Sequence, residues 1–114
     1  MLNPSDLVLI EFPFSNLAQA KRRPALVVRG PSAFGDILAA AVTSKPQHAQ
    51  GVAITQENLA SGSLLKPSWV RCDQLHTFDQ SLVIGRIATL TPDAFAKVMT
   101  AICALMGCRA TDSS

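Results

Sequence analysis

The chain predicts a mainly β fold, a small and strongly bent barrel capped by one C-terminal α-helix. Three observations carry this expectation. The first two-thirds holds short β-rich stretches separated by turn residues. The last third changes to helical periodicity. The 114 residues suit one domain and leave little room for two. The domain is expected over residues 1–107, with 108–114 as a loose tail.

Asp6–Phe12 (DLVLIEF) reads as the first strand, ended by Pro13. Pro24–Arg29 (PALVVR) follows, closed by Gly30-Pro31. Ile37–Thr43 (ILAAAVT) is a nearly unbroken apolar run, which predicts a strand buried on both faces. A short piece at Gly51–Thr55, a clear strand at Ser68–Thr77 (SWVRCDQLHT) and a weaker one at Ile84–Ala88 complete five or six strands. The helix starts at Thr91-Pro92-Asp93, which supplies a hydroxyl N-cap, proline at the first helical position and an acid in the first turn. Phe95, Val98, Met99, Ile102, Leu105 and Met106 recur as one apolar stripe, and Gly107 ends it.

Charged residues make up 16% of the chain, against roughly 25% in an ordinary soluble domain. Hydrophobic residues make up 48%, with a mean hydropathy of +0.26. No apolar run approaches the ~20 residues of a transmembrane helix. The N-terminus has neither a basic region before its apolar stretch nor a cleavage site, so a cytoplasmic location without membrane partners is expected. The net charge of +2 excludes both disorder and a bulk-charge argument for nucleic-acid binding. Cys72, Cys103 and Cys108 lack metal-ligand spacing, and His48 and His76 do not complete a set. Reduced structural thiols follow, with Cys103 on the buried face of the helix and no cofactor or metal.

Lys21-Arg22-Arg23 is the densest charge in the chain, at the end of a loop from Ser15 to Arg22. A residue before proline is driven to extended geometry, so Arg23 is held by the strand it leads into and its planar fork suits a phosphate. A solvated hairpin tip is the plainer reading of such a triplet. Thr43-Ser44 closes the most apolar strand, where hydroxyls can donate to a phosphate oxygen or simply begin a turn. In the strand from Ser68, simple alternation places Trp69, Arg71 and Asp73 on one side, about 7 Å between successive members. An aromatic plate, a guanidinium and a carboxylate together suit single-stranded nucleic acid. A surface ion pair beside a half-buried tryptophan explains them equally well. Gln74 and His76 point the other way unless a bulge intervenes.

Taken in order, VLIEFPF, KRRPALVV, AAAVTSK, KPSWVRCDQLHTFD and IGRIATLT resemble the MazF/PemK (Kid) family of toxin ribonucleases from bacterial toxin–antitoxin systems. The similarity runs from about Pro4 to Gly107 and is most specific at RRPALVV and at Arg71–Asp79. It implies an SH3-like barrel of the CcdB/PemK type that works as a homodimer and is blocked by a cognate antitoxin protein. It also implies metal-independent endoribonuclease activity on single-stranded RNA. Attack by the RNA's own 2′-hydroxyl would leave a 2′,3′-cyclic phosphate and a 5′-hydroxyl, and the result would be growth arrest. Carried over by motif, Arg23, Thr43, Arg71 and Asp73 become the catalytic set, with Arg71 and Asp73 as acid and base. Gln74 matches a glutamine that lies near the RNA in related toxins, and Lys21, Arg22, Ser44, Trp69 and His76 are expected beside it as RNA-binding residues.

Chemistry qualifies that assignment. Asp73 serves as a base if partial burial raises its pKa, whereas a nearby Arg71 lowers it. An arginine is a poor proton donor, so Arg71 suits charge stabilisation better. The first loop lacks the histidine and the acid that many relatives carry, and His76 stands where they often have arginine. Two other readings share the fold: a catalytically silent SH3-like binding module, and a CcdB-like toxin that binds gyrase through its C-terminal tail.

Overall fold

The computed structural model describes residues 2–12, 21–46 and 51–108. Within them lie seven strands: β1 (Asp6–Phe12), β2 (Lys21–Arg29), β3 (Asp36–Thr43), β4 (Gly51–Ile54), β5 (Leu59–Gly62), β6 (Ser68–Asp79) and β7 (Val83–Leu90). One helix, α1 (Pro92–Met106), follows them. All strand pairs are antiparallel, in the order β4–β6–β3–β2–β1–β7–β5.

The two margins of this sheet, β4 and β5, are separated in the chain only by residues 55–58. A flat sheet of this width would hold its margins roughly 29 Å apart at about 4.8 Å per strand. The five peptide steps from Ile54 to Leu59 reach about 18 Å at most, and a single 3₁₀ turn at Gln56–Asn58 shortens them further. The sheet must therefore curl. It forms a barrel whose ladder stays open between β4 and β5 and is bridged by that turn. Thr55 N–H donates to Asn58 Oδ1 (2.8 Å) and Asn58 N–H to the Thr55 carbonyl (2.9 Å), so the turn is cross-braced. Thr91 N–H donates to the Asn58 carbonyl (2.8 Å) and ties it to the start of α1.

Strand alternation divides the interior into two clusters. Leu7, Leu26, Ala40, Val42, Val70 and Cys72 pack under Ala94, Val98 and Ile102 of α1. On the opposite face of the same strands, Val8, Ile10, Ala25, Val27, Ile37 and Ala39 form a second cluster that Phe78 and Leu82 join. β3 lies between β2 and β6 and contributes to both clusters, as its apolar run predicts.

The helix follows its sequence signals closely. Thr91 Oγ1 accepts from Ala94 N–H at 3.2 Å, Pro92 occupies the first turn, and Gly107 takes φ +74°. Cys108 N–H then donates to the Cys103 carbonyl at 2.9 Å, the left-handed closure that glycine permits.

Several expectations need correction. β2 starts at Lys21, so the basic triplet belongs to a strand and not to a loop end. Lys21, Arg22 and Arg23 continue the ladder opposite Phe12, Glu11 and Ile10, and the Glu11–Arg22 pairing sets opposite charges across it. The β2–β3 ladder stops at Ala25, one residue short of Pro24, which has no N–H to give. β5 (LASG) is a strand that the sequence pattern does not predict. The apolar stripe of α1 is rotated from the expected one: Ala94 is buried, whereas Leu105 and Met106 are exposed. Cys103 is only half-buried, and Cys72 is the buried thiol. Residues 13–20, which hold most of the first loop, His48 and the tail beyond Cys108 lie outside the described residues.

Candidate active site

Three neighbouring strands build the site in rows on the face of the second cluster. Thr43 of β3 stands opposite Trp69 of β6, and the β2–β3 register, continued two residues past Ala25, brings Arg23 to Thr43. In the next row Ala41 lies between Ala25 and Arg71. The small alanine leaves space that flanking long side chains surround.

Beyond Arg71 the ladder breaks. Ala41 faces Arg71, but the adjacent Ala40 faces Leu75, so β6 carries three more residues than β3 over that step. An odd insertion inverts the alternation of every residue after it. His76 then pairs with Ala39 and Phe78 with Ile37, on the same face as Arg71. The bulge is the condition under which Gln74 and His76 could join Arg71, and it is present.

The outcome is a cavity of about 660 Å³ lined by Arg23, Thr43, Arg71, Gln74, His76 and Phe78, with Pro24, Ala41, Val42, Thr77 and Leu82 completing the wall. A smaller adjoining cavity of about 350 Å³ shares Arg23 and Thr43 and adds Arg22, Ser44 and Lys45. The first cavity thus collects five of the ten expected site residues, and the second adds Arg22 and Ser44. Trp69 is half-buried and lines neither. Sequence reasoning missed Phe78 and Leu82. The one available signal was that Gln74, His76 and Phe78 alternate among themselves, out of step with Arg71.

Asp73 lies in the bulge and grips Arg71 side-on. Arg71 Nε donates to Oδ1 at 3.0 Å and Nη2 to Oδ2 at 2.8 Å. These hydrogen bonds hold the Asp73 carboxyl below its ordinary pKa and push Arg71 above its own. The condition for Asp73 as a base, a raised pKa, is not met: it is exposed and its carboxylate is stabilised. Arg71 is an even weaker acid than a free guanidinium. Two of its five N–H groups go to Asp73, so three remain for an anion. Among the described residues no carboxylate lies within salt-bridge distance of Arg22 or Arg23. Cys72, between Arg71 and Asp73, points into the first cluster, and burial followed by the Asp73 charge raises its thiol pKa.

A phosphate-sized anion would meet Arg23 and Arg71 with Thr43 between them. Along β3 the row that His76 faces, at Ala39, lies one pleat repeat of about 7 Å from the row that Arg71 faces, at Ala41. Its ring meets that of Phe78 at 5.8 Å and a 56° tilt.

Comparison with known proteins agrees with this architecture. The model of the PemK-like, MazF-like toxins of type II toxin–antitoxin systems matches residues 3–106. A MazE–MazF complex from Deinococcus radiodurans is similar at 25% identity and a TM-score of 0.75, covering 95% of this chain and 97% of that one. MazF alone from the same organism is 27% identical with a TM-score of 0.68, covering 93% and 96%. An endoribonuclease in complex with its cognate antitoxin from a mycobacterial species shares the fold at 16% identity and a TM-score of 0.75, covering 97% and 100%. No curated protein sequence matches.

Proposed function

Because the chain belongs to the PemK-like, MazF-like toxin family of type II toxin–antitoxin systems, whose toxins are endoribonucleases, we propose that this cavity cleaves single-stranded RNA by attack of the RNA's own 2′-hydroxyl. The observation that carries the reading is one cavity shared by two arginines, a threonine hydroxyl and an imidazole. Arg23 and Arg71 neutralise the charge that builds on phosphorus as the 2′-oxygen bonds to it, and Thr43 donates to a phosphate oxygen. The two cations also lower the pKa of the bound 2′-hydroxyl, whose proton passes to water at the open mouth. The bond from phosphorus to the 5′-oxygen breaks, and His76 gives that oxygen a proton. The products are a 2′,3′-cyclic phosphate and a 5′-hydroxyl. Asp73 positions Arg71; it is not the base. Arg22, Ser44 and Gln74 track the flanking RNA, whereas the Lys21 side chain lies outside the described residues.

A cognate antitoxin and a second copy of the chain are the proposed protein partners. The exposed Phe34, Leu65, Ile84, Leu105 and Met106 give such partners apolar surface to cover. Sedimentation of the isolated protein is expected to give a dimer. A monomer at micromolar concentration would remove that half of the reading.

The test of the chemistry is cleavage of a long mixed-sequence RNA by purified protein in EDTA. Cyclic phosphate ends are expected, together with loss of cleavage when the nucleotide at the cut lacks its 2′-hydroxyl. Cleavage of the 2′-deoxy substrate would overturn the mechanism. Growth arrest on expression, relieved by a folded Arg23→Ala variant, separates the enzyme from a silent module.

A further inference from the structure

The closure of α1 does more than end the helix. Gly107, at φ +74° and ψ +26°, turns the chain into the left-handed region. Its N–H donates to the Ala104 carbonyl at 3.4 Å, and the Cys108 N–H donates to the Cys103 carbonyl at 2.9 Å. These two bonds make the Schellman arrangement, which brings the side chains at its outer positions together. An apolar pair often fills those positions. In this chain both are cysteines, Cys103 and Cys108. Their thiols are hydrogen-bonded to each other, and this contact, followed by desolvation, holds the Cys103 thiol above its ordinary pKa. Cys103 is half-buried and Cys108 exposed, so a small solute reaches the pair from the Cys108 side. Cys72 takes no part: it is buried beneath α1, with its Sγ turned toward the Val70 and Val98 carbonyls.

We infer that Cys103 and Cys108 form a dithiol site, which a small disulfide of the glutathione class oxidises to an intramolecular disulfide across the helix cap. The Cys108 thiolate attacks one sulfur of the oxidant, and one glutathione leaves as its thiolate. The Cys103 sulfur, its proton lost to water, then attacks the Cys108 sulfur and expels the second glutathione. Two electrons pass from the protein sulfurs to the oxidant, and the two thiol protons end on the released glutathiones. The capping turn favours the second step, because the reduced protein already holds the two sulfurs together. Only four residues separate the cysteines. The link therefore fastens the last turn of α1, which carries the exposed Leu105 and Met106. An exposed disulfide is of the labile kind, so excess reduced glutathione reopens it.

The test equilibrates the intact protein with mixtures of reduced and oxidised glutathione, then unfolds it, alkylates the remaining thiols and digests it with trypsin. Both cysteines leave on one peptide, Val98–Arg109, and Cys72 on another. Mass spectrometry is expected to find the first peptide lighter by two hydrogens, neither alkylated nor carrying glutathione, while Cys72 is alkylated. Gly107→Ala adds a Cβ that meets no atom within 4 Å, so it strains only the left-handed turn. That variant should need a several-fold more oxidising mixture to reach half-conversion. Oxidised wild type should melt above reduced wild type, because a link that the folded geometry favours stabilises the fold. The same treatment should leave the melting temperature of Cys108→Ser unchanged. A stable glutathione adduct on Cys108, or a link between two chains on a non-reducing gel, would overturn the site. So would a Gly107→Ala midpoint equal to wild type, or an oxidised protein that melts lower than the reduced one.

Discussion

Ala39 pairs across the sheet with His76, where an unbroken pleat would have set Asp73. The three-residue insertion therefore exchanges a carboxylate for an imidazole on the floor of a cationic cavity. Asp73 is left to hold Arg71 from the side, and His76 stands among the lining residues.

If that exchange is functional, His76→Ala should lower kcat for RNA cleavage about 10²- to 10⁴-fold, the usual worth of a general acid. KM should move far less. Steady-state kinetics on a defined oligonucleotide decides it, and an unchanged kcat would return the proton transfer to another group.

The Arg71–Asp73 pair makes a pH-dependent prediction. Asp73 has a lowered pKa in the folded protein, chiefly through its hydrogen bonds from Arg71. Its contribution is therefore present above the unfolded carboxylate value of about 3.9 and is lost as pH falls through the lower folded value. The melting-temperature difference between wild type and Asp73→Asn should stay constant from about pH 8 to pH 5 and shrink below about pH 4. It should be small and salt-sensitive, because both side chains are partly solvated. A difference that vanishes already at neutral pH contradicts the pairing.

Gly62 takes φ +80°, and a Cβ there would run into the Ile87 carbonyl oxygen and Ala88. Gly62→Ala should therefore peel β5 from β7. Hydrogen exchange is expected to quicken first at Leu59–Gly62, with a loss of stability of several kcal/mol, as for backbone strain combined with overpacking. Protection equal to wild type in β5 would contradict the close approach.

The rotated stripe of α1 separates two substitutions on one helix. Ile102 is 3% exposed and Leu105 46%. Ile102→Ala should cost about 2–5 kcal/mol in urea unfolding. Leu105→Ala should stay within about 0.5 kcal/mol in dilute protein. Equal costs would restore the stripe that the sequence suggests.

Much of this molecule is legible before folding. Thr91-Pro92 and Gly107 mark both ends of α1 because capping is local chemistry. The run Ile37–Thr43 reads as a central strand because burial on two faces needs no polar residue. β5 is not legible: LASG has neither β-branched nor aromatic side chains, and its pairing with β7 is made by tertiary closure. The bulge in β6 escapes for a related reason. Cys72-Asp73-Gln74 contains no glycine or proline to mark it, and register is set by what β3 offers across the ladder. Arg23, Thr43 and Arg71 could be matched from sequence, since each precedes the insertion. His76 and Phe78 could not be placed, since their orientation depends on it.

The short turn at Gln56–Asn58 has a mechanical consequence. Because β4 and β5 stand at opposite margins of the sheet yet are joined by residues 55–58, that turn acts as a clasp. A single cut peptide bond within it would remove the direct covalent link between the two margins and leave each held by its own ladder alone, β4 on β6 and β5 on β7.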